Sequence, residues 1–167
     1  IFECPFFMLL RLLLFHLLIF SNLIQAQTRF EFSNRVGDAY IAFNSLNFTE
    51  LHSICSDISL KEPGNRFADF LKALGTGAEL LIDEDETKYR QALSSRSMLI
   101  EKLENTQNAS SYQYYCLSEL YLHWALIRIK YNDEFHAALD LKSAIRYAKT
   151  GMKTYPEFIS LSISLTV

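Results

Sequence analysis

His52 and Cys55 stand three residues apart, and Cys116 and His123 seven apart. On a helix either interval puts both side chains on one face, and two thiolates with two imidazoles suit a tetrahedral zinc ion if the faces meet. The spacing matches no common zinc module, and buried thiols are ordinary core residues. A metal-dependent domain built on His52, Cys55, Cys116 and His123 is therefore a second alternative and not the expectation. A Cys55–Cys116 disulfide is the other chemistry open to these thiols, favoured if export delivers them to an oxidising compartment.

The remaining motifs argue against catalysis. Gly75-Thr76-Gly77 lacks a preceding strand, a third glycine and the lysine that a phosphate loop needs; close helix packing or a bend explains the two glycines. The acidic run Asp83-Glu84-Asp85-Glu86 lacks the central glycine and late glutamate of a calcium loop, and reads as the capped start of a helix. Neither Gly-x-Ser-x-Gly nor His-Glu-x-x-His occurs, and Asp83 and Asp85 lie in a polar run with nothing to frame an acid–base pair. No catalytic residue, metal or cofactor is expected. Tyr112, Tyr114, Tyr115, Tyr121 and Trp124 crowd one segment. Tyr114, Tyr121 and Trp124 continue an apolar stripe and belong to a core, which leaves Tyr112 and Tyr115 as candidate surface aromatic contacts. The sequons Asn47-Phe48-Thr49 and Asn108-Ala109-Ser110 matter only in a host that glycosylates exported asparagine.

The elements that must carry these residues are helical. The 167 residues are 50% hydrophobic with five Gly and three Pro, too few turn formers for an all-β fold. A net charge of −3 and 21% charged residues give neither a basic nucleic-acid footprint nor a disordered composition. No nucleic-acid partner is expected. Part of the hydrophobic total is an N-terminal segment. With a start at Met8, residues 8–11 form a short basic region, Leu12 to Phe20 an apolar one, and Ser21 to Ala26 a polar stretch ending on a small residue. Residues 1–26 read as a signal peptide, with a signal anchor through residues 6–24 as the rival; the expected location is the periplasm or cell envelope. Removing them takes away one acid, Glu3, and one base, Arg11, so the charge stays at −3.

A polar lead, residues 27–34, precedes the helical part, residues 35–158. Apolar spacing predicts helices over Arg35 to Leu46, capped by Ser33 or Asn34, and Thr49 to Lys61, stopped by Glu62-Pro63-Gly64-Asn65. Further helices follow over Arg66 to Ile82, Tyr89 to Leu103, Ser111 to about Lys130 and Glu134 to Lys153. The fifth is apolar on two sides, as a helix held between neighbours must be. The architecture expected is all-α, about six antiparallel helices in stacked hairpins. Residues 159–167 read as a truncated or frame-shifted tail, and Ile1 either as the start of a partial reading frame or as the first of spurious residues before Met8.

The chain from Asp38 to Phe158 resembles the N-terminal part of exported bacterial tetratricopeptide-repeat-like proteins. The resemblance rests on Ala39-Tyr40, Asn47-Phe48-Thr49-Glu50, Lys61-Glu62-Pro63-Gly64-Asn65 and Phe70-Leu71. Later it rests on the run from Ser118 to Ala125, Phe135-His136-Ala137-Ala138 and Lys153-Thr154-Tyr155-Pro156. No strict internal period is visible, so the repeats are degenerate. The resemblance implies an all-α scaffold whose partner is another polypeptide, and it implies no catalytic residues.

Overall fold

The computed structural model describes residues 27–158. Six helices follow in order: α1 (Asn34–Asn44), α2 (Phe48–Lys61), α3 (Phe67–Asp83), α4 (Glu86–Glu104), α5 (Ser111–Lys130) and α6 (Glu134–Thr154). No strand is present among the described residues, and no helix there is long and apolar enough to cross a membrane. The signal and tail assignments, residues 1–26 and 159–167, lie outside the described residues.

Local chemistry sets most boundaries. Ser33 Oγ accepts from the Val36 amide at 3.4 Å and starts α1. Asn47 and Glu50 cap α2 reciprocally: Asn47 Oδ1 accepts from the Glu50 amide, and Asn47 Nδ2 donates to Glu50 Oε2 at 2.7 Å. Asp85 Oδ1 takes the amides of Thr87 and Lys88 at 2.8 and 3.1 Å. The acidic run thus caps α4, three residues earlier than the apolar spacing implies. Leu46, Glu84 and Asn132 turn the chain with φ of 56°, 54° and 58°, each just past the end of a helix.

Packing follows a regular order. α1 packs on α2 and α3, α2 on α3, α3 on α4 and α5, α4 on α5, and α5 on α6. Each hairpin thus leans on the first helix of the next. α3 is central and carries the largest share of fully buried side chains, including Phe67, Phe70, Leu71 and Leu80. Its two glycines admit neighbours on different sides. A Cβ at Gly75 would lie 2.6 Å from Leu51 Cδ2 on α2, and one at Gly77 would lie 3.0 Å from Ile127 Cδ1 on α5. The helix runs unbroken through both, so close approach is their role.

α5 is packed against three helices, α3, α4 and α6, which is why its apolar residues fall on more than one side. Its buried Gln113 donates to the carbonyls of Leu103 and Glu104, both at 2.9 Å, and satisfies two orphan acceptors at the end of α4. Ala137, Ala144 and Ala148 let α6 lie close to α5, and Ser118 Oγ donates to the Ala144 carbonyl at 3.1 Å.

The lead is structured. The Arg29 amide donates to Gly64 O at 3.0 Å, and the Arg66 amide donates to Arg29 O at 2.8 Å. Asn65, buried, donates through Nδ2 to Glu31 O at 2.8 Å and accepts at Oδ1 from the amides of Glu31 and Phe67. Further along, the Gln107 amide donates to Thr28 Oγ1 at 2.9 Å. The segment therefore runs across the loops before α3 and α5, with Phe30 buried against Phe67.

Candidate functional site

The edge that holds the lead also gathers aromatic rings. Phe32 stacks near-parallel with Tyr40 of α1 at 5.8 Å between centroids and with Tyr112 of α5 at 6.1 Å. Tyr112 meets Phe158 edge-on at 5.1 Å, and Phe158 meets Tyr115 at 6.3 Å. The hydroxyls of Tyr115 and Tyr40 pair with one another. Five rings thus form a circuit: Tyr40, Phe32, Tyr112, Phe158, Tyr115 and back to Tyr40. Phe67 lies beneath it, fully buried and 5.3 Å from Tyr112. The cup encloses about 340 Å³, within the usual range for small-ligand sites.

Its electrostatics are one-sided. Burial pushes the Tyr40 hydroxyl far above the ordinary tyrosine value, and Cys116, Tyr115 and Glu119 push the same way. Tyr115 is also raised, by burial first and then by Glu119. Glu119 lies one turn beyond Tyr115 on the same face of α5. Among the described residues, no lysine or arginine lines the cup.

A second polar feature sits beneath α6. Asp140, 6% exposed, lies between two guanidiniums: Arg128 Nε is 2.7 Å from Asp140 Oδ2, and Arg96 of α4 pairs with Asp140 Oδ1. Arg128 also pairs with Asp133. The Arg96 guanidinium rests over the rings of Tyr121 and Trp124 at 5.2 and 5.4 Å, a geometry that favours a cation. Burial raises the Asp140 carboxyl against the pull of both arginines, and burial lowers Arg96. The cluster ties α4, α5 and α6 together.

The structure brings Tyr112 and Tyr115 into one cup. It does not bring the thiols together. Cys55 and Cys116 are free and buried, and α3 separates the backbone of α2 from that of α5, beyond the roughly 7 Å Cα separation that a disulfide spans. The same separation breaks up the zinc set. His52 Nε2 sits 3.6 Å from Glu79 of α3, while His123 Nδ1 donates to the Glu119 carbonyl at 2.9 Å; no metal-binding cluster of His, Cys, Asp or Glu occurs among the described residues. Burial lifts Cys55 to about 11 and Cys116 well above its ordinary value, so both stay protonated and unreactive at neutral pH. Asn47 and Asn108 are both exposed.

Sequence reasoning missed Phe32 and Phe158 in the cup and Asp140 in the charge cluster. Alternation along Arg29-Phe30-Glu31-Phe32 was the available signal, because it gives an extended segment with one apolar face. For the cluster the signal was Arg128, a charge within the apolar face of α5. The chain matches no protein-family model, no curated protein and no solved structure.

Proposed function

We propose that this chain is an exported, non-catalytic scaffold of the tetratricopeptide-repeat-like kind, holding another polypeptide against its last hairpin. The observation that carries the proposal is the distribution of exposed apolar side chains. Of the twelve large ones exposed among the described residues, six lie on α5 and α6: Leu126, Ile129, Phe135, Leu139, Leu141 and Ile145. Helical geometry puts Leu126 of α5, with Leu141 and Ile145 of α6, on the side of the hairpin turned away from α4. Isolated exposed leucines need no explanation, but a concentration on neighbouring helices marks a contact surface. The packing order, in which each hairpin leans on the first helix of the next, supports the stacked-hairpin comparison, and such arrays bind along their surfaces.

Site-specific photocrosslinking in the producing cell tests it. A crosslinker at Leu126 or Ile145 gives one discrete adduct with another polypeptide, and one at Leu60, 81% exposed on α2, does not. An adduct pattern that is the same at all three sites, or no adduct at any, refutes the proposal.

A further inference from the structure

The bases of this chain are unevenly matched with acids. Of the fifteen lysines and arginines among the described residues, ten stand in ion pairs with carboxylates. Four of the other five lie on α6: Lys142, Arg146, Lys149 and Lys153, all exposed. Their intervals of four, three and four residues form one stripe, about 16 Å long, on the side of the helix opposite the buried Ala137, Ala144 and Ala148. No acid occurs from Leu141 to Pro156, and outside the described residues the sequence holds one acidic side chain, Glu3, too few to neutralise the stripe. Apolar side chains border it: Ile145 neighbours Lys142 and Lys149 at helical spacing, and the exposed Leu139 neighbours Lys142.

We infer that this stripe recognises an acidic amphipathic helix, a partner that lays carboxylates along α6 and apolar side chains on Leu141 and Ile145. The inference rests on the reading of the last hairpin as the docking surface, and it supplies the charge of what docks there. A solvated helix face usually interleaves acids with bases, which support one another four residues apart, whereas like charges at that interval weaken the helix. The macrodipole accounts only for Lys153, the base in the last turn. Charge complementarity therefore selects an anionic partner. That partner is a helix because the stripe follows the α6 axis and the fold already stacks helix on helix. An anionic lipid surface or a nucleic acid suits the molecule less well. Apart from these four bases the described residues hold eleven bases against eighteen acids, a body of net charge −7 that an extended polyanion repels.

The test uses the full chain and a fluorescein-labelled helical peptide with a leucine stripe and glutamates at the intervals of the α6 bases, alongside the same peptide with glutamines. Anisotropy at low salt shows the glutamate peptide binding about tenfold tighter, and about 1 M salt removes the difference. Neutralising the stripe with Lys142→Gln, Arg146→Gln, Lys149→Gln and Lys153→Gln together abolishes the preference. Those side chains are exposed and the change relieves repulsion, so far-UV circular dichroism stays the same. Lys149→Gln alone weakens the glutamate peptide about twofold, whereas Lys72→Gln, which removes the fifth base without an ion pair among the described residues, does not. Equal binding of the two peptides overturns the inference, as does an equal loss with Lys72→Gln. So does tighter binding to vesicles of equal parts phosphatidylglycerol and phosphatidylcholine, or to duplex DNA, than to the glutamate peptide. In the cell, Lys142→Glu with Lys149→Glu removes the adduct at Ile145. An adduct that survives this reversal overturns the inference alone, while its absence from the unaltered chain overturns the scaffold reading and this inference with it.

Discussion

Gly75 and Gly77 sit two residues apart on the same helix, yet alanine at each should move stability in opposite directions. In an open helix interior the exchange is worth about 1 kcal/mol in favour of alanine. At Gly77 the new methyl meets only Ile127 Cδ1, at 3.0 Å. That is a terminal methyl, so a shift of a few tenths of an ångström accommodates it, and most of the helix gain survives. At Gly75 the new methyl falls 2.6 Å from Leu51 Cδ2, with Leu51 Cγ at 3.7 Å and His52 Cε1 at 3.8 Å. Leu51, like Ile127, is fully buried, but its methyl must retreat much further, with Leu51 Cγ and His52 also close to the new methyl, so overpacking of about 1–3 kcal/mol outweighs the helix gain. The net expectation is a loss of about 1 kcal/mol for Gly75→Ala and a gain of up to about 1 kcal/mol for Gly77→Ala. For a domain of this length each kcal/mol corresponds to about 4 °C in Tm. Urea denaturation followed by circular dichroism resolves the pair, with unchanged m-values confirming two-state behaviour. A double-mutant cycle sharpens it: Leu51→Ala costs about 1 kcal/mol less in the Gly75→Ala background than alone, because the added methyl fills part of the cavity. Stabilisation by Gly75→Ala equal to that at Gly77 would show that α2 and α3 are not in close approach and would refute the argument.

Three further outcomes follow from the packing. Burial holds the thiol of Cys55 neutral up to about 11, and that of Cys116 higher still than its ordinary value. An unfolded thiol ionises near 9, so stability is intact below pH 9 and falls as pH rises toward 11, with Cys55 alone withdrawing up to about 3 kcal/mol. Urea midpoints at pH 8 and pH 11 measure the loss, the double variant Cys55→Val, Cys116→Val makes it shallower, and Ellman's reagent modifies neither thiol until the chain unfolds. Asp140→Leu strips the buried Arg96 guanidinium of its acceptor, leaves Arg128 with Asp133 alone, and costs about 3 kcal/mol or more, whereas adding Arg96→Met recovers at least half of that; equal instability of the two variants would show that shape, not charge, is at stake. Asn65→Ala removes the hydrogen bonds to Glu31 and Phe67, lowers stability by about 2 kcal/mol, and opens residues 29–33 to limited proteolysis while α5 and α6 stay protected.

Much of the helical order was legible because it is written in local chemistry. Ser33 and the acids at 83–86 announce helix starts, Glu62-Pro63-Gly64-Asn65 a stop, and the two-sided apolar pattern of α5 its place between neighbours. Gly75 and Gly77 announced either a bend or a close approach; only the positions of Leu51 and Ile127 decide between them. What stayed hidden depends on distant partners. The run Thr28-Arg29-Phe30-Glu31-Phe32 is too short and too polar to suggest a core element, and Asn65 and Gln107, the partners of Glu31 and Thr28, lie 34 and 79 residues further along the chain. Asp140 carries no burial signal of its own, because Arg96, 44 residues earlier, is what makes its burial tolerable. The cup needed the lead, α1, α5 and the chain after α6 to meet, so Tyr112 and Tyr115 could be singled out but not their companions.

The lead has a mechanical consequence. Stacked hairpins normally behave as a spring, since each touches only its neighbours and small rotations add along the stack. Here residues 28–31 are laced to the loop before α3 and to the loop before α5, so that edge is strapped to a fixed length. At the opposite edge the turns are joined, among the described residues, through side chains such as Tyr131, whose hydroxyl donates to Leu80 O at 3.0 Å. Bending is therefore hinged about the strapped edge: the array fans open along the turns after α1, α3 and α5 while the spacing of the hairpins at the cup stays constant.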